Sequence, residues 1–303
     1  MVSRIKSQQE MKPGQTVLLL GAGYCACALI PHFLMRGYQV LATTRSDEKV
    51  QRLQKLGAKT ILYDRRVSTE LNQALEMSDI ILSSIPPNVA GDPFLNELKH
   101  PLLSTAKTVS WAGYLSATSV YGDRKGQWAY EDELLRPTTQ RGKNRVEAEL
   151  QWLETGLPVH IFRLAGIYGP NRSSFERLRQ GKARAVIKPG HIVNRIHVED
   201  IVSAILKSID APNPARVYNL ADGHPAPPQD VVNFAAELIN IPRPPQLDHD
   251  SSNISDMARS FYTETKRINI DRAQTELGWI PKYKNYRLGL TATLKEEQDE
   301  ILK

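Results

Sequence analysis

The residues with the plainest chemical meaning lie near the start of the chain. Gly21-Ala22-Gly23-Tyr24-Cys25-Ala26 follows the apolar run Leu18-Leu19-Leu20 and spells G-x-G-x-x-A. Gly21 permits a tight turn, Gly23 lets a pyrophosphate approach the backbone, and Ala26 is small enough for close helix–strand contact. A helix opening here presents free N–H groups and a partial positive charge, which suits a phosphate. The next apolar run ends Thr43-Thr44-Arg45-Ser46. A turn selective for NAD carries a carboxylate at this place for the ribose 2′-hydroxyl. Hydroxyls and an arginine suit a 2′-phosphate, so NADP(H) is expected over NAD(H), which remains compatible with the turn. Asp64 ends the third run, where it lies near an adenine or caps the next helix. Cys25 and Cys27 are the only cysteines. They read as small core residues beside the turn, although a helix amino end can also lower a thiol's pKa. Two residues apart, they neither staple the fold nor build a four-thiolate zinc site, and no metal centre is expected.

Such a turn works only when a strand and a helix hold it. Short apolar runs at 17–20, 39–42, 60–63, 80–83, 108–111 and 159–162 read as strands. Amphipathic stretches at 24–36, 47–56, 68–77, 93–103 and 139–154 read as helices between them. Gly37, Gly57 and Gly156 stand where helices should stop. The alternation predicts an α/β fold, a doubly wound parallel sheet of Rossmann type covered on both faces by helices. Pro31 falls inside the first helix and is expected to kink it or reset its start. Beyond Asn171 prolines become frequent, and helices are expected only at 201–209, 229–239 and 272–277. The organisation read from this is a frayed tail over 1–12, a Rossmann domain over 13–170 to which 192–222 returns, and a smaller C-terminal substrate lobe from 171–191 and 223–303.

The 303 residues are 41% hydrophobic and 24% charged, which excludes a disordered or fibrous chain. The net charge of +6 is spread rather than clustered, which suits a small anionic ligand better than nucleic acid. Residues 16–35 lack any charged side chain, but Gly21, Gly23, Pro31 and His32 interrupt them, so a strand and a helix are expected rather than a membrane span. No secretion signal is seen at the start, and a cytoplasmic protein is expected.

Five segments resemble the extended short-chain dehydrogenase/reductase superfamily, the NAD-dependent epimerase/dehydratase group. They are Leu115–Asp123 (LSATSVYGD), Phe162–Pro170 (FRLAGIYGP), Arg195–Asp200 (RIHVED), Tyr218–Asp222 (YNLAD) and Glu276–Trp279 (ELGW), in the family's order. The resemblance implies a cofactor set of Gly21, Gly23, Tyr24, Cys25, Ala26, Thr44, Arg45, Asp64, Ser84 and Arg145. It also exposes a departure. Hydride transfer in this superfamily uses a Y-x-x-x-K pair and a Ser or Thr four residues before the V-Y-G tyrosine. Here Arg141 and Arg145 occupy the Tyr and Lys places, and Ala117 the Ser/Thr place. A one-residue slip would bring Ser116 or Thr118 into use. Arginine stays protonated and cannot shuttle a proton as tyrosine does, but it can clamp a carboxylate, stabilise an oxyanion or hold a ribose.

Other proton carriers are Tyr114, Tyr121, Tyr130, Tyr168, His197 and Lys143. Arg141, Arg172 and Arg195 suggest an anionic small-molecule substrate. Three functions fit: an NADP(H)-dependent oxidoreductase or epimerase/dehydratase-like enzyme, a non-catalytic NADP(H)-binding sensor, regulator or assembly factor, and an isomerase or lyase without net redox change. The 139–154 helix matches one that pairs subunits in relatives, but its Glu147 and Gln151 are polar, so monomer and homodimer are both compatible.

Overall fold

The computed structural model describes residues 14–64, 66, 68–252, 259 and 261–301; the tail read over 1–12 lies outside them. Seven strands form the central parallel sheet: β1 (Thr16–Leu20), β2 (Gln39–Thr44), β3 (Lys59–Leu62), β4 (Ile80–Ser83), β5 (Trp111–Ala117), β6 (Val159–Leu164) and β7 (Val217–Leu220). Their order is β7-β6-β5-β4-β1-β2-β3. This is the doubly wound α/β arrangement, with the chain reversing direction across the sheet after β3. β1 is buried at every position because helices cover both faces. β3 is the edge strand and leaves Lys59 and Leu62 exposed.

The chain divides into two compact units, one of residues 14–85 and 94–112, the other of 86–93 and 113–301. In the first, Gly37 and Gly57 end helices Tyr24–Met35 and Asp47–Lys55 with φ of +80° and +91°. The helix Tyr24–Met35 runs through Pro31 and starts at Tyr24, so the proline does not reset it. The fifth strand corrects the sequence reading. Thr108 and Ser110 are loop residues bonded to the carbonyls of Ser78 and Asp79, and the strand begins only at Trp111.

The second unit is organised by a buried polar network. Arg163 on β6 is 4% exposed and Glu149, on helix Gln140–Leu153, is 3% exposed. Their side chains pair at 2.8 Å between Nη2 and Oε2, with Nε donating to Oε1 at 3.1 Å. Nη1 donates to the Tyr121 hydroxyl at 2.9 Å and to the Glu131 carbonyl at 3.1 Å. Tyr121 donates on to Asn219 of β7 at 2.7 Å, and Ser116 of β5 donates to Glu149. The two later family-like segments are likewise structural. Asp200 accepts the N–H groups of Lys282 and Tyr283, while Trp279 Nε1 donates to the Asp200 carbonyl at 3.1 Å. A smaller cluster packs Phe175, Leu178, Ala235 and Ala236 with Tyr286 and Leu290 of the last helix, Tyr286–Ile301, which the sequence reading did not contain. Among the described residues no helix is long and apolar enough to cross a membrane.

Two outcomes test this description. Arg163→Met leaves Glu149 buried without a counter-charge and should lower unfolding stability by about 3–5 kcal/mol in denaturant titrations, with the Glu149→Gln double variant losing less than the sum of the singles. Asp222 is 2% exposed, and burial pushes its carboxyl up to about 7. An unfolded Asp ionises near pH 4, so the folded state holds an extra proton between these values and loses stability as pH rises through them. Thermal unfolding from about pH 5 to 8 should therefore weaken the wild type more than Asp222→Asn, which keeps an acceptor for the His224 N–H.

Candidate functional site

In the first unit Gly21 leaves β1 at φ +82°, and a Cβ there would stand 2.8 Å from Ile85 Cγ1. Glycine is thus required twice over, by backbone and by space. The turn is stitched from two neighbouring strands. Thr43 Oγ1 of β2 accepts the Gly21 N–H at 2.8 Å, and the Thr43 carbonyl accepts the Ala22 N–H at 3.0 Å. Ser84, just past β4, donates its hydroxyl to the Gly21 carbonyl. Gly23 is the N-cap of helix Tyr24–Met35, with no side-chain cap and no acidic residue in the first turn. With no side chain placed over it, the amino end of this helix carries a partial positive charge that suits an anion. A Cβ on Gly23 would meet only Ser84 Oγ, at an ordinary 3.6 Å, so packing within the chain does not demand glycine here. A ligand phosphate resting on the backbone would, and the residues fit a dinucleotide pyrophosphate.

Cys25 and Ala26 are buried behind the turn. Cys27 Sγ lies 3.8 Å from the Ala22 carbonyl, and burial pushes its thiol upward, which keeps it protonated rather than reactive. Thr44 is buried and accepts the Ser46 N–H at 3.2 Å. Arg45 follows it into solvent and makes no hydrogen bond or ion pair among the described residues. Asp64 is exposed and accepts the Arg66 N–H at 3.2 Å.

The second unit holds a cavity of about 500 Å³. Thr118 and Arg141 line it together with Thr139, Asn194, Glu264 and Lys266. Ser116 and Arg145 are not part of the lining. Ser116 is 2% exposed and committed to Glu149. Arg145 donates to the Leu115 carbonyl and, at 3.3 Å, to the Tyr114 hydroxyl. Thr139 caps its helix by accepting the Gly142 N–H, which brings Arg141 into the first turn, its guanidinium 5.7 Å from the Phe261 ring.

Lys266 and Glu264 were not singled out from the sequence. Lys266 is 7% exposed, and its Nζ lies 2.6 Å from Glu264 Oε2 and 3.5 Å from the Thr118 carbonyl. Burial pulls the Lys266 pKa down, and the Glu264 carboxylate opposes this. Glu264 also accepts from Thr138 Oγ1, and Asn194 Nδ2 fixes the Lys266 carbonyl at 2.8 Å. An ammonium, a carboxylate, a threonine hydroxyl and a guanidinium in one cavity can orient a polar substrate and exchange a proton with it. The other proton carriers do not line it. Tyr114, Tyr121 and His197 are fully buried and hydrogen-bonded. Burial pushes Tyr121 up to about 12 and His197 down to about 4. Tyr168 is also buried, and Lys143 and Tyr130 are exposed elsewhere.

Sheet order, glycine turn and bare helix terminus define a Rossmann-type α/β protein of the NAD(P)-binding class. A model of the shikimate/quinate 5-dehydrogenase family matches residues 4–90. Protein YeeZ of Escherichia coli (strain K12) is 30% identical over 223 residues, covering 69% of this chain and 79% of that protein. A functionally unknown conserved protein from Silicibacter pomeroyi superposes with a TM-score of 0.88 at 42% identity, over 93% of this chain and 99% of the other. The dTDP-glucose 4,6-dehydratase of Bacillus anthracis, in complex with NAD, shares the fold at a TM-score of 0.75 and 18% identity, over 95% and 100%. The chain belongs to the family of YeeZ and shares its fold with the NAD-bound dTDP-glucose 4,6-dehydratase.

The glycine turn gives a separable test. Gly23→Ala should fold with unchanged unfolding temperature, because its methyl has room, yet bind NADPH at least about tenfold more weakly in fluorescence titrations, since the methyl occupies the phosphate's approach.

Proposed function

We propose that this chain is an atypical NADP(H)-dependent oxidoreductase or epimerase/dehydratase-like enzyme, cytoplasmic and acting on a small, polar, anionic substrate. The bare helix start at Gly23, stitched in place by Thr43 and Ser84, carries the cofactor half of the reading. Gly21, Gly23, Tyr24, Cys25 and Ala26 would hold the pyrophosphate, Thr44 and Arg45 the 2′-phosphate, and Asp64 and Ser84 the rest of the nucleotide. Bound NADP(H) supplies the hydride. The substrate half rests on the 500 Å³ cavity. Arg141 holds a substrate carboxylate, Thr118 orients its reacting oxygen, and Lys266 carries the proton at Nζ with Glu264 as its counter-charge. Arg145 supports the site from behind through the Leu115 carbonyl. The buried state of Tyr114, Tyr121 and His197 favours one second reading, a non-catalytic NADP(H)-binding sensor, regulator or assembly factor acting through partners.

Titration of the full chain with NADPH and NADH, followed by tryptophan fluorescence, separates these. NADPH should bind about tenfold or more tighter than NADH, and Arg45→Ala should remove most of that preference, as expected for one charge-assisted contact to the 2′-phosphate. NADPH oxidation with any of a panel of small keto acids supports the enzyme. It should fall by about 10²-fold or more in Lys266→Met. Binding without turnover favours the sensor. Failure to bind either nucleotide overturns both.

A further inference from the structure

A second cavity, of about 250 Å³, lies in the second unit and shares no lining residue with the larger one. The two part at consecutive residues, for Val193 and Asn194 line the larger and Arg195 the smaller. Arg195 belongs to the short strand Arg195–His197, which pairs in parallel with Gly166–Tyr168. The guanidinium is anchored on one edge, with Nη1 donating to the carbonyls of Val193 at 2.9 Å and Ala226 at 3.2 Å. Among the described residues no carboxylate lies within ion-pair distance of it. Asp222 is the acid nearest in its electrostatic surroundings, and burial weakens that compensation by favouring its neutral form. A half-buried cation without a paired anion is costly.

Two further polar groups in the lining share this condition. The hydroxyls of Tyr168 and Ser174 are buried and have no hydrogen-bond partner. Tyr168 is itself 7% exposed, and burial raises its phenol far enough that it stays a donor. Its ring is held edge-on to His197, with centroids 5.3 Å apart. Gly289 of the last helix fits against the phenol, for a Cβ there would come within 1.9 Å of the hydroxyl oxygen. Buried polar groups are nearly always satisfied, so donors left over around one cavity mark a missing acceptor. The rest of the wall mixes apolar Pro228, Val231, Val232 and Leu290 with Arg172, Ser173 and Tyr286.

The geometry points to a binding site for a small organic carboxylate with a short apolar body: Arg195, Tyr168 and Ser174 take the carboxylate, and Val231, Val232 and Leu290 enclose the tail. Arginine's planar fork matches the two carboxylate oxygens, and the four apolar side chains favour an organic tail over a bare hydrated anion. This site is independent of the dinucleotide turn, so its test needs neither cofactor nor turnover.

Calorimetric titration of the full chain with 3-methylbutyrate, benzoate, benzyl alcohol and inorganic phosphate reads it directly. The two carboxylates should bind saturably, and the alcohol and phosphate should not. Arg195→Gln should abolish binding. If that variant fails to fold, Tyr168→Phe and Ser174→Ala decide the matter. Each removes a hydroxyl that bonds to nothing in the chain, so unfolding temperature should not fall, while carboxylate affinity should drop about fivefold or more. The proposal is overturned if neither carboxylate binds in the millimolar range. It is equally overturned if phosphate binds as tightly as they do, or if the Tyr168 and Ser174 variants bind them with wild-type affinity.

Discussion

A guanidinium buried at Arg163 sets the terms for the second unit. Its N–H groups lie in one plane at fixed angles, and each must meet an acceptor because water cannot reach it. Glu149 answers from a helix, Tyr121 from the turn after β5, Glu131 from a loop carbonyl, and Asn219 closes the chain of bonds from β7. Several elements far apart in sequence are thereby locked to one rigid group. The residues of the 500 Å³ cavity hang from those elements: Thr118 from the turn, and Thr139, Gln140 and Arg141 from the start of the Glu149 helix. The cavity's shape is thus a by-product of a charge that had to be satisfied elsewhere.

The first unit solves its positioning problem without buried charge. One threonine on β2 and one serine just past β4 hold the backbone of a glycine turn, and no side chain caps the helix it opens. The two strategies suit their tasks. A phosphate-binding turn must aim a helix amino end without placing a side chain over it. A substrate cavity needs side chains of several kinds held at set directions, which a rigid ion pair at its base provides. The family-like segments mostly serve these frameworks. Tyr121, Arg163, Asp200, Asn219 and Trp279 all bond within the protein.

The first half of the fold was legible because its βαβ units carry their own punctuation. The apolar runs of β1 and β4 are buried whole, and glycines with left-handed φ sit just past the helices. The fifth strand was misplaced for a physical reason. Trp111–Ala117 is covered on both faces and includes Gly113, Tyr114 and Ser116, so it shows neither alternation nor an unbroken aliphatic run. The last helix was missed because Gly289, Thr291, Thr293 and a polar end blur its period. The glycine turn could be read locally, since Gly21, Gly23 and Ala26 fall within one short stretch of sequence. Lys266 could not. It meets Thr118 across 148 positions of sequence, and the pairing with Glu264 has no motif spacing to announce it. Nor could sequence tell that Ser116 faces Glu149 while Thr118 faces the cavity.

Gly142 stands between Arg141 and Arg145. A Cβ there would come within 2.5 Å of the Ser119 carbonyl oxygen and 2.8 Å of Pro137 Cβ. The helix is therefore indexed against the turn by the lack of a side chain at 142, and not by what stands at 141. A part that is aligned by its neighbour can be exchanged without realigning the machine. The identity of residue 141 is free to drift over evolutionary time, or to be exchanged by an engineer, on a backbone that keeps its place, which makes this chain a ready chassis for grafting alternative acid–base groups onto one fixed cavity.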